Sequence, residues 1–456
     1  MAAEARTISD TSARTSDSLM DEAISLMHLA IEAGAEEAEV FGLSGRSIDV
    51  DLRKSSIEMA SQSIHRGLGL RAVVRGAVGF SSTSDFSRLK EVAVGAVRAA
   101  KARGGDDEWR SLPRSGDVST PRDVFDPALD GMGAEEGLDL AQKLLDGCMA
   151  IEGAEPVSGG VVFVSGEEVI VNSLGIEVSE RGTFIQAALE AISRGSSEDG
   201  VATGYEFGNS RMKDLDFEKI GREAGQLASR SADGVKAETG TFPVLLSPVA
   251  TAELLEHILV PALSAENVQK GRSPLSGRLD RRIAHEDLQL VDDGLLPGGM
   301  GTSGFDDEGV PSHKNVLIED GNLLGYMYDS YAAGKDGCLS TGNAVRAGYS
   351  EVPRIGVRNL IIESRRPFDL LAETSSGILV NGLIGAHTAN PISGDFSVEA
   401  SNAFQVVDGS LARPIRSAMI AGNLYDLFSK MEAGRDTRPV GSIITPTIRV
   451  EMRVIG

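Results

Sequence analysis

The stretch Glu253-Leu254-Leu255-Glu256-His257-Ile258-Leu259-Val260-Pro261 falls where a helical zinc-protease motif would fit. In a His-Glu-x-x-x-His helix the two imidazoles bind one metal, and the Glu beside them acts as general base. Here the first ligand position holds Glu256, the base position His257 and the second ligand position Pro261, which cannot bind metal. Glu253 and His257, spaced i and i+4, could touch a metal at two points. The plainer reading is an ordinary side-chain pair on one helix face. No further ligand is visible nearby, so no metal site and no catalytic residue is assigned to this chain. Pro261 is expected to end or kink the helix, because its ring clashes with the carbonyl four residues back.

Other residues could also do chemistry. His285-Glu286 opens a second zinc-like pattern, but Gln289 and Leu290 stand where another imidazole is needed. The two cysteines, Cys148 and Cys338, form no C-x-x-C, which disfavours a Cys-based zinc site and a disulfide framework. The acidic run Asp306-Asp307-Glu308 could do acid/base work or hold a divalent cation. The same residues, among Asp-Gly and Pro-Gly turns, also suit turn capping. Thr341-Gly342-Asn343-Ala344 and Asn390-Pro391-Ile392-Ser393-Gly394-Asp395 are Gly/Asn-rich loops without a phosphate-binding pattern. No G-x-S-x-G elbow supports a serine hydrolase.

Elements must position these groups. Helical periodicity runs from Leu19 to Gly34 and is followed by the alternating strand Ser47–Leu52 and a hairpin about Arg75-Gly76. Ser84 and Asp85 offer caps to a helix ending near Ala102. After a Gly/Pro-rich, acidic linker, a helix at 134–151 precedes short strands at Val161–Val164, Val169–Val171, Ile176–Val178 and Phe184–Ile192. A further helix spans 217–230. Helix-then-meander thus occurs twice, suggesting a duplicated unit. From Thr241 a buried strand, a helix capped by Ser247 with Pro248 at its first position, and short Gly-punctuated strands indicate a β-rich region with long loops. The fold class is α+β: two N-terminal helix/antiparallel-strand units followed by a β-rich C-terminal domain. The expected boundaries are a disordered tail at 1–18, domains at 19–103 and 133–238 with a linker at 104–132 between them, and the C-terminal domain at 239–456.

The 456 residues carry 44 Lys+Arg against 67 Asp+Glu, a formal charge of −23. That field repels phosphate backbones and disfavours direct nucleic-acid binding. No stretch has the length and apolarity of a membrane span, so no membrane association and a cytoplasmic location are expected.

In order and spacing, several segments resemble the TldD/TldE (PmbA) family. They are Phe305–Pro311, Tyr328-Asp329-Ser330, Thr341–Ala344, Ser393–Ser397, Ala421–Leu424 and Gly441–Pro446. Gly34–Val40 and Gly67–Arg71 resemble the family's first domain, and the likeness runs from about 20 to 456. It implies a two-subunit cytoplasmic metalloprotease associated with degrading unfolded peptides, with maturing a peptide antibiotic and with the label "modulator of DNA gyrase". The TldD-type subunit carries His-Glu-x-x-x-His and a C-terminal cysteine as zinc ligands; the TldE-type subunit lacks them. Glu256, Pro261 and the cysteine-free Asp436-Thr437-Arg438-Pro439 place this chain with the TldE/PmbA type. The resemblance therefore implies no cofactor in this subunit, zinc in a TldD-type partner, and a heterodimer with that partner or a homodimer. It also implies that unfolded or extended peptides are held along loops bearing Asp306, Asp307, Glu308, Thr341, Asn343, Asn390 and Asp395. Two alternatives stay open: a homodimeric peptide-binding, chaperone-like protein without proteolysis, and a hydrolase centred on Asp306, Asp307 and Glu308.

Overall fold

The computed structural model describes residues 16–196 and 200–456, with side chains from Leu19 onward. Residues 1–15 of the expected tail lie outside the described residues; the next three, 16–18, begin the first helix. The first unit is α1 (Ser16–Glu32), β1 (Glu37–Arg53), β2 (Ser56–Val74), β3 (Ala77–Thr83) and α2 (Leu89–Arg103). After the short α3 (Pro127–Asp130) the second unit repeats this order: α4 (Ala134–Met149), β4 (Ala154–Asn172), β5 (Glu177–Arg194), β6 (Val201–Ser210) and α5 (Phe217–Ser231).

The two units share one antiparallel sheet in the order β3-β2-β1-β4-β5-β6, so two meanders meet through their first strands. Gly45 and Gly166 face each other across that junction, where a Cβ on Gly45 would come within 2.8 Å of the Ser165 carbonyl oxygen. The strand period of two sorts the side chains. Val40, Val50, Val161 and Val169 lie on the face covered by the four long helices. Glu39, Phe41, Arg71 and Ile170 take the opposite face, where Phe41 and Ile170 pack with Phe305 from the C-terminal half.

Four short strands were expected where the chain forms two long ones. Val161–Val164 and Val169–Val171 both belong to β4, and Ile176–Val178 begins β5, which already starts at Glu177 and runs past Phe184. The polar Ser165-Gly166-Glu167-Glu168 interrupts the apolar pattern without ending the strand, because there the sheet faces a cavity rather than a core. The segment between α2 and α3 has almost no regular structure, yet it is held in place. Leu112 is buried, Trp109 stacks on Tyr331 with ring centroids 6.1 Å apart, and Tyr331 Oη donates to Asp106 Oδ2 at 3.0 Å.

The C-terminal half runs β7 (Val235–Lys236), β8 (Gly240–Leu246), α6 (Pro248–Leu254), α7 (Val260–Leu263), α8 (Ala265–Gln269), β9 (Leu288–Asp293), β10 (Lys314–Glu319) and β11 (Asn322–Leu323). It continues through α9 (Ser330–Asp336), β12 (Ala344–Val345), β13 (Arg354–Ile355), β14 (Leu360–Ser364), β15 (Ser376–Ile384), β16 (Asp395–Val407), β17 (Ser410–Arg416) and β18 (Met419–Asn423). The last elements are α10 (Leu424–Phe428), β19 (Glu432–Ala433), β20 (Arg438–Val440), β21 (Ile443–Thr445) and β22 (Ile448–Ile455). One sheet orders β11-β10-β9-β14-β21-β20. In the other, pairing of β15 with β16 closes β15-β8-β22-β18-β16 into a ring. The helical segment from α6 to α7 contributes Leu254, Leu255, Ile258, Leu259 and Leu263 to the core that fills this half.

Candidate functional site

The degenerate zinc motif lies on a π-turn. Ser247 Oγ accepts from Ala250 N and Pro248 occupies the first turn, so α6 starts as its sequence requires. Residues Leu255–Leu259 then adopt π-helix, with the Val260 amide reaching back five residues to the Leu255 carbonyl. The helix does not end at Pro261, contrary to the expectation, but continues as α7 to Leu263. The wider turn relieves the clash between the proline ring and the carbonyl four residues behind it.

This geometry also explains the spacing of the motif. In an α-helix, at 100° per residue, positions five apart sit well off a common face. One i→i+5 turn brings them round, so Glu256 and Pro261 occupy equivalent places on successive turns. Around them, Glu253 accepts from Leu383 N at 2.7 Å. Burial pushes its carboxyl up to about 7; the Leu383 hydrogen bond works against that and the charge of Glu256 adds to it. The rings of His257 and His387 stand nearly perpendicular with centroids 6.5 Å apart. Tyr425 Oη donates to Pro391 O at 2.8 Å and to Ile258 O at 3.3 Å, tying the π-turn to the loop that holds Asn390 and Asp395. In that loop Asn390 Oδ1 accepts from Ile392 N at 2.9 Å, and Asp395 Oδ1 accepts from Asn423 Nδ2 at 2.8 Å. Both are exposed; Asn390 closes the turn and Asp395 begins β16.

The residues of the turn do not fit a bound zinc. Proline offers no donor. Among the described residues no group of three or more His, Cys, Asp and Glu is placed to hold a metal ion.

The other five loop residues are brought together elsewhere, at the seam between the N-terminal sheet and the C-terminal half. Glu39 and Arg71 are directly paired across β1 and β2 and joined by two hydrogen bonds, one from Nε at 2.9 Å. Arg71 Nη2 also reaches Glu308 Oε1 at 2.8 Å, and Arg346 binds Glu39 from the other side. Glu308 Oε2 accepts from Ser330 N at 2.8 Å at the start of α9. Burial works against the Glu308 carboxylate, but Arg71 and Ser330 outweigh it and hold the group below its ordinary range. Asp306 accepts from the amides of Glu308, Val310 and Ala344 at 2.9–3.0 Å. Asp307 binds Arg346 N at 2.5 Å. Asn343, fully buried, donates to Asp292 at 2.6 Å and accepts from Thr341 Oγ1 at 2.7 Å. These side chains fasten loops to one another. Of the five, only Asp307 lines the cavity between the two halves, whose volume is about 530 Å³.

Sequence reading missed Arg71, Arg346 and Arg358, the partners of the acidic run, and Glu39, which Arg71 and Arg346 bind. A signal existed: single charges in otherwise apolar strands, as in Ala38-Glu39-Val40-Phe41 and Leu70-Arg71-Ala72-Val73, are rarely buried unless paired.

Family models of the PmbA/TldA metallopeptidase match as domain 1 over 38–101, as central domain over 127–232 and as C-terminal domain over 239–456. An uncharacterised protein of Methanocaldococcus jannaschii is 33% identical over 427 residues, covering 92% of this chain and 96% of its own. A metalloprotease of Methanothermobacter thermautotrophicus is 24% identical over 416 residues, 90% of each chain. The crystal structure of TldE from Thermococcus kodakarensis is 29% identical and superimposes with a TM-score of 0.88, covering 95% of this chain and all of that one. With all three domains matched in order, the chain belongs to the PmbA/TldD family.

Proposed function

We propose that this chain is the non-catalytic, TldE/PmbA-type subunit of a TldD/TldE metalloprotease that degrades unfolded peptides in the cytoplasm. The observation that carries this reading is the π-turn with Glu256 and His257 at the first ligand and base positions and Pro261, which has no donor, at the second ligand position. The likeness to TldE from Thermococcus kodakarensis supports it. In this reading the metal chemistry belongs to a TldD-type partner, and this subunit forms a wall of the chamber that holds the substrate. The sheet offers a place for an extended chain. β3 pairs with β2 only from Leu68 onward, so β2 from Ser56 to Gly67 is paired with β1 alone and presents its other edge. A strand added there would be held by backbone groups, with little demand on its sequence.

The test is to assay the purified chain, a TldD-type subunit of the same host, and both together on an unfolded protein substrate. Cleavage by the pair that is abolished by a chelator, with none by this chain alone, is the expected result. One tightly bound zinc per chain, or cleavage by this chain alone, would overturn the assignment. The change Pro261→His by itself is expected to create no zinc site, because Glu256 still holds the first ligand position and Asp436–Pro439 still offers no cysteine.

A further inference from the structure

On the sheet face opposite the four helices, loops of the C-terminal half roof the cavity of about 530 Å³. That volume lies within the range of small-molecule sites. Its walls include Arg46, Arg211 and Arg358 together with Glu168 and Glu180. The three guanidinium groups are held chiefly by neutral carbonyls. Arg46 donates to Met132 O at 2.8 Å and to the carbonyls of Leu129 and Asp130. Arg211 donates to Val124 O and Met300 O, both at 3.3 Å. Arg358 reaches Phe305 O at 3.3 Å and Asp307 Oδ1 only at 3.5 Å. Arg358 is 7% exposed, and its Nε has no hydrogen-bond partner among the described residues.

An unmet N–H on a buried guanidinium is costly unless something completes it. Arg211 is close enough to feel the like charge of Arg358. Burial lowers its pKa first, Glu180 and Glu168 pull it back up, and Arg358 lowers it again. An anion in the cavity would relieve the repulsion and give the guanidinium groups that line it a charged partner. A guanidinium fork matches the plane of a carboxylate. Glu180 and Asp307 on the same walls disfavour a dianion such as phosphate. Burial, and next the charge of Asp307, push the carboxyl of Glu168 up to about 8, so near neutral pH it can donate a hydrogen bond rather than repel an anion.

We propose that this cavity binds a carboxylate-bearing ligand, with Arg358 and Arg211 as its guanidinium partners and Glu168 on the facing wall. The carboxylate comes either from the C-terminus of a short peptide or from a free small acid. The site lies within one chain, so it stands or falls independently of the subunit assignment.

Titration calorimetry on the full chain tests it with four probes: N-acetyl-trialanine as the free acid, the same peptide as its C-terminal amide, N-acetylalanine, and inorganic phosphate. The free acid is expected to bind, with the amide and phosphate at least about ten-fold weaker. N-acetylalanine binding as tightly as the peptide identifies a small acid as the source; weaker binding identifies a peptide C-terminus. Arg358→Gln is expected to weaken the free acid at least about ten-fold.

Because Arg358 also secures a loop, a second variant keeps the test decisive. Glu168 faces Asp307, Glu180, Arg358 and Arg211, and His65 and Glu167 line the same cavity. Wild type is expected to bind the acid more weakly at pH 9 than at pH 7, as Glu168 ionises, whereas Glu168→Gln binds alike at both. The proposal is overturned if none of the probes binds, if acid and amide bind equally, or if phosphate matches the acid. It is also overturned if folded Arg358→Gln binds like wild type, or if Glu168→Gln retains the full pH dependence.

Discussion

The π-turn at 255–261 and the acidic run at 306–308 make an instructive pair. In sequence the π-turn has the outline of a catalytic motif with the wrong residues, while the acidic run has the composition of a flexible loop. In the fold Leu255, Ile258 and Leu259 of the π-turn are buried in the core, while its polar residues stay accessible, Glu256 exposed and His257 half-buried against His387. The acidic run is the joint between the two halves, with Asp306 and Glu308 buried to within 1% and bonded to Arg71, Ser330 and backbone amides. The difference teaches that chemistry-bearing residue types mark a site only when something is left for a ligand to bind. At the seam most donors and acceptors satisfy each other; Arg358 Nε and Ser330 Oγ are left without a hydrogen-bond partner among the described residues.

This contrast can be broken or sharpened by mutation. The largest effect is expected for Arg71→Met, which removes the cation paired with buried Glu308 and leaves buried Glu39 with Arg346 alone. Breaking a buried pair by removing one partner costs about 3–5 kcal/mol. Urea unfolding of the variant reads it directly, and a loss below about 1 kcal/mol, the size of a surface ion pair, would demote the seam to an ordinary contact.

An intermediate effect is expected at Glu253, in α6 just before the π-turn, and its sign is opposite. The folded-state pKa of Glu253 is raised from 4.5 to about 7. Folding therefore favours its protonated form: the group costs nothing below the unfolded pKa. The cost grows as pH rises between the two values and is fully present above the folded one. Glu253→Gln should thus match wild type near pH 4 and be more stable near pH 8 by about 1–2 kcal/mol, allowing for water at this half-buried position. Equal stability at both pH values would mean that the Leu383 amide already compensates the charge.

The smallest effect is expected for His257→Ala. The His387 ring is the neighbour of this imidazole, and the stability change should stay within about 1 kcal/mol. Peptide cleavage by the assembled pair should change by no more than a few-fold. Loss of a catalytic group would cost at least about 10²-fold, and a folded, assembled His257→Ala complex that lost that much would restore a chemical role to the turn.

Much of the local structure was readable. The cap at Ser247, the hairpin at Arg75-Gly76 and the duplicated helix-and-meander order follow from turn chemistry and periodicity; Asp85 instead caps the short 3-10 turn Phe86–Arg88 that leads into α2. The lengths of β4 and β5 were not readable, because polar residues facing a cavity have the composition of a loop. Nor was the π-turn, since Pro261 read alone signals a helix end.

By itself the sequence decided the donor chemistry. A proline at the second ligand position cannot hold a metal in any fold, and the alternation of β1 and β2 assigns Glu39 and Arg71 to the face opposite Val40 and Leu70. Only the tertiary structure decided what those groups meet. An i→i+5 turn aligns residues 256 and 261, which an α-helix would separate. Arg71 finds Glu308 across 237 residues of chain, and the loops bearing Asp307, Arg346 and Arg358 close over Glu168. Such encounters depend on the path of the chain between distant segments, and local residue types carry no record of that path.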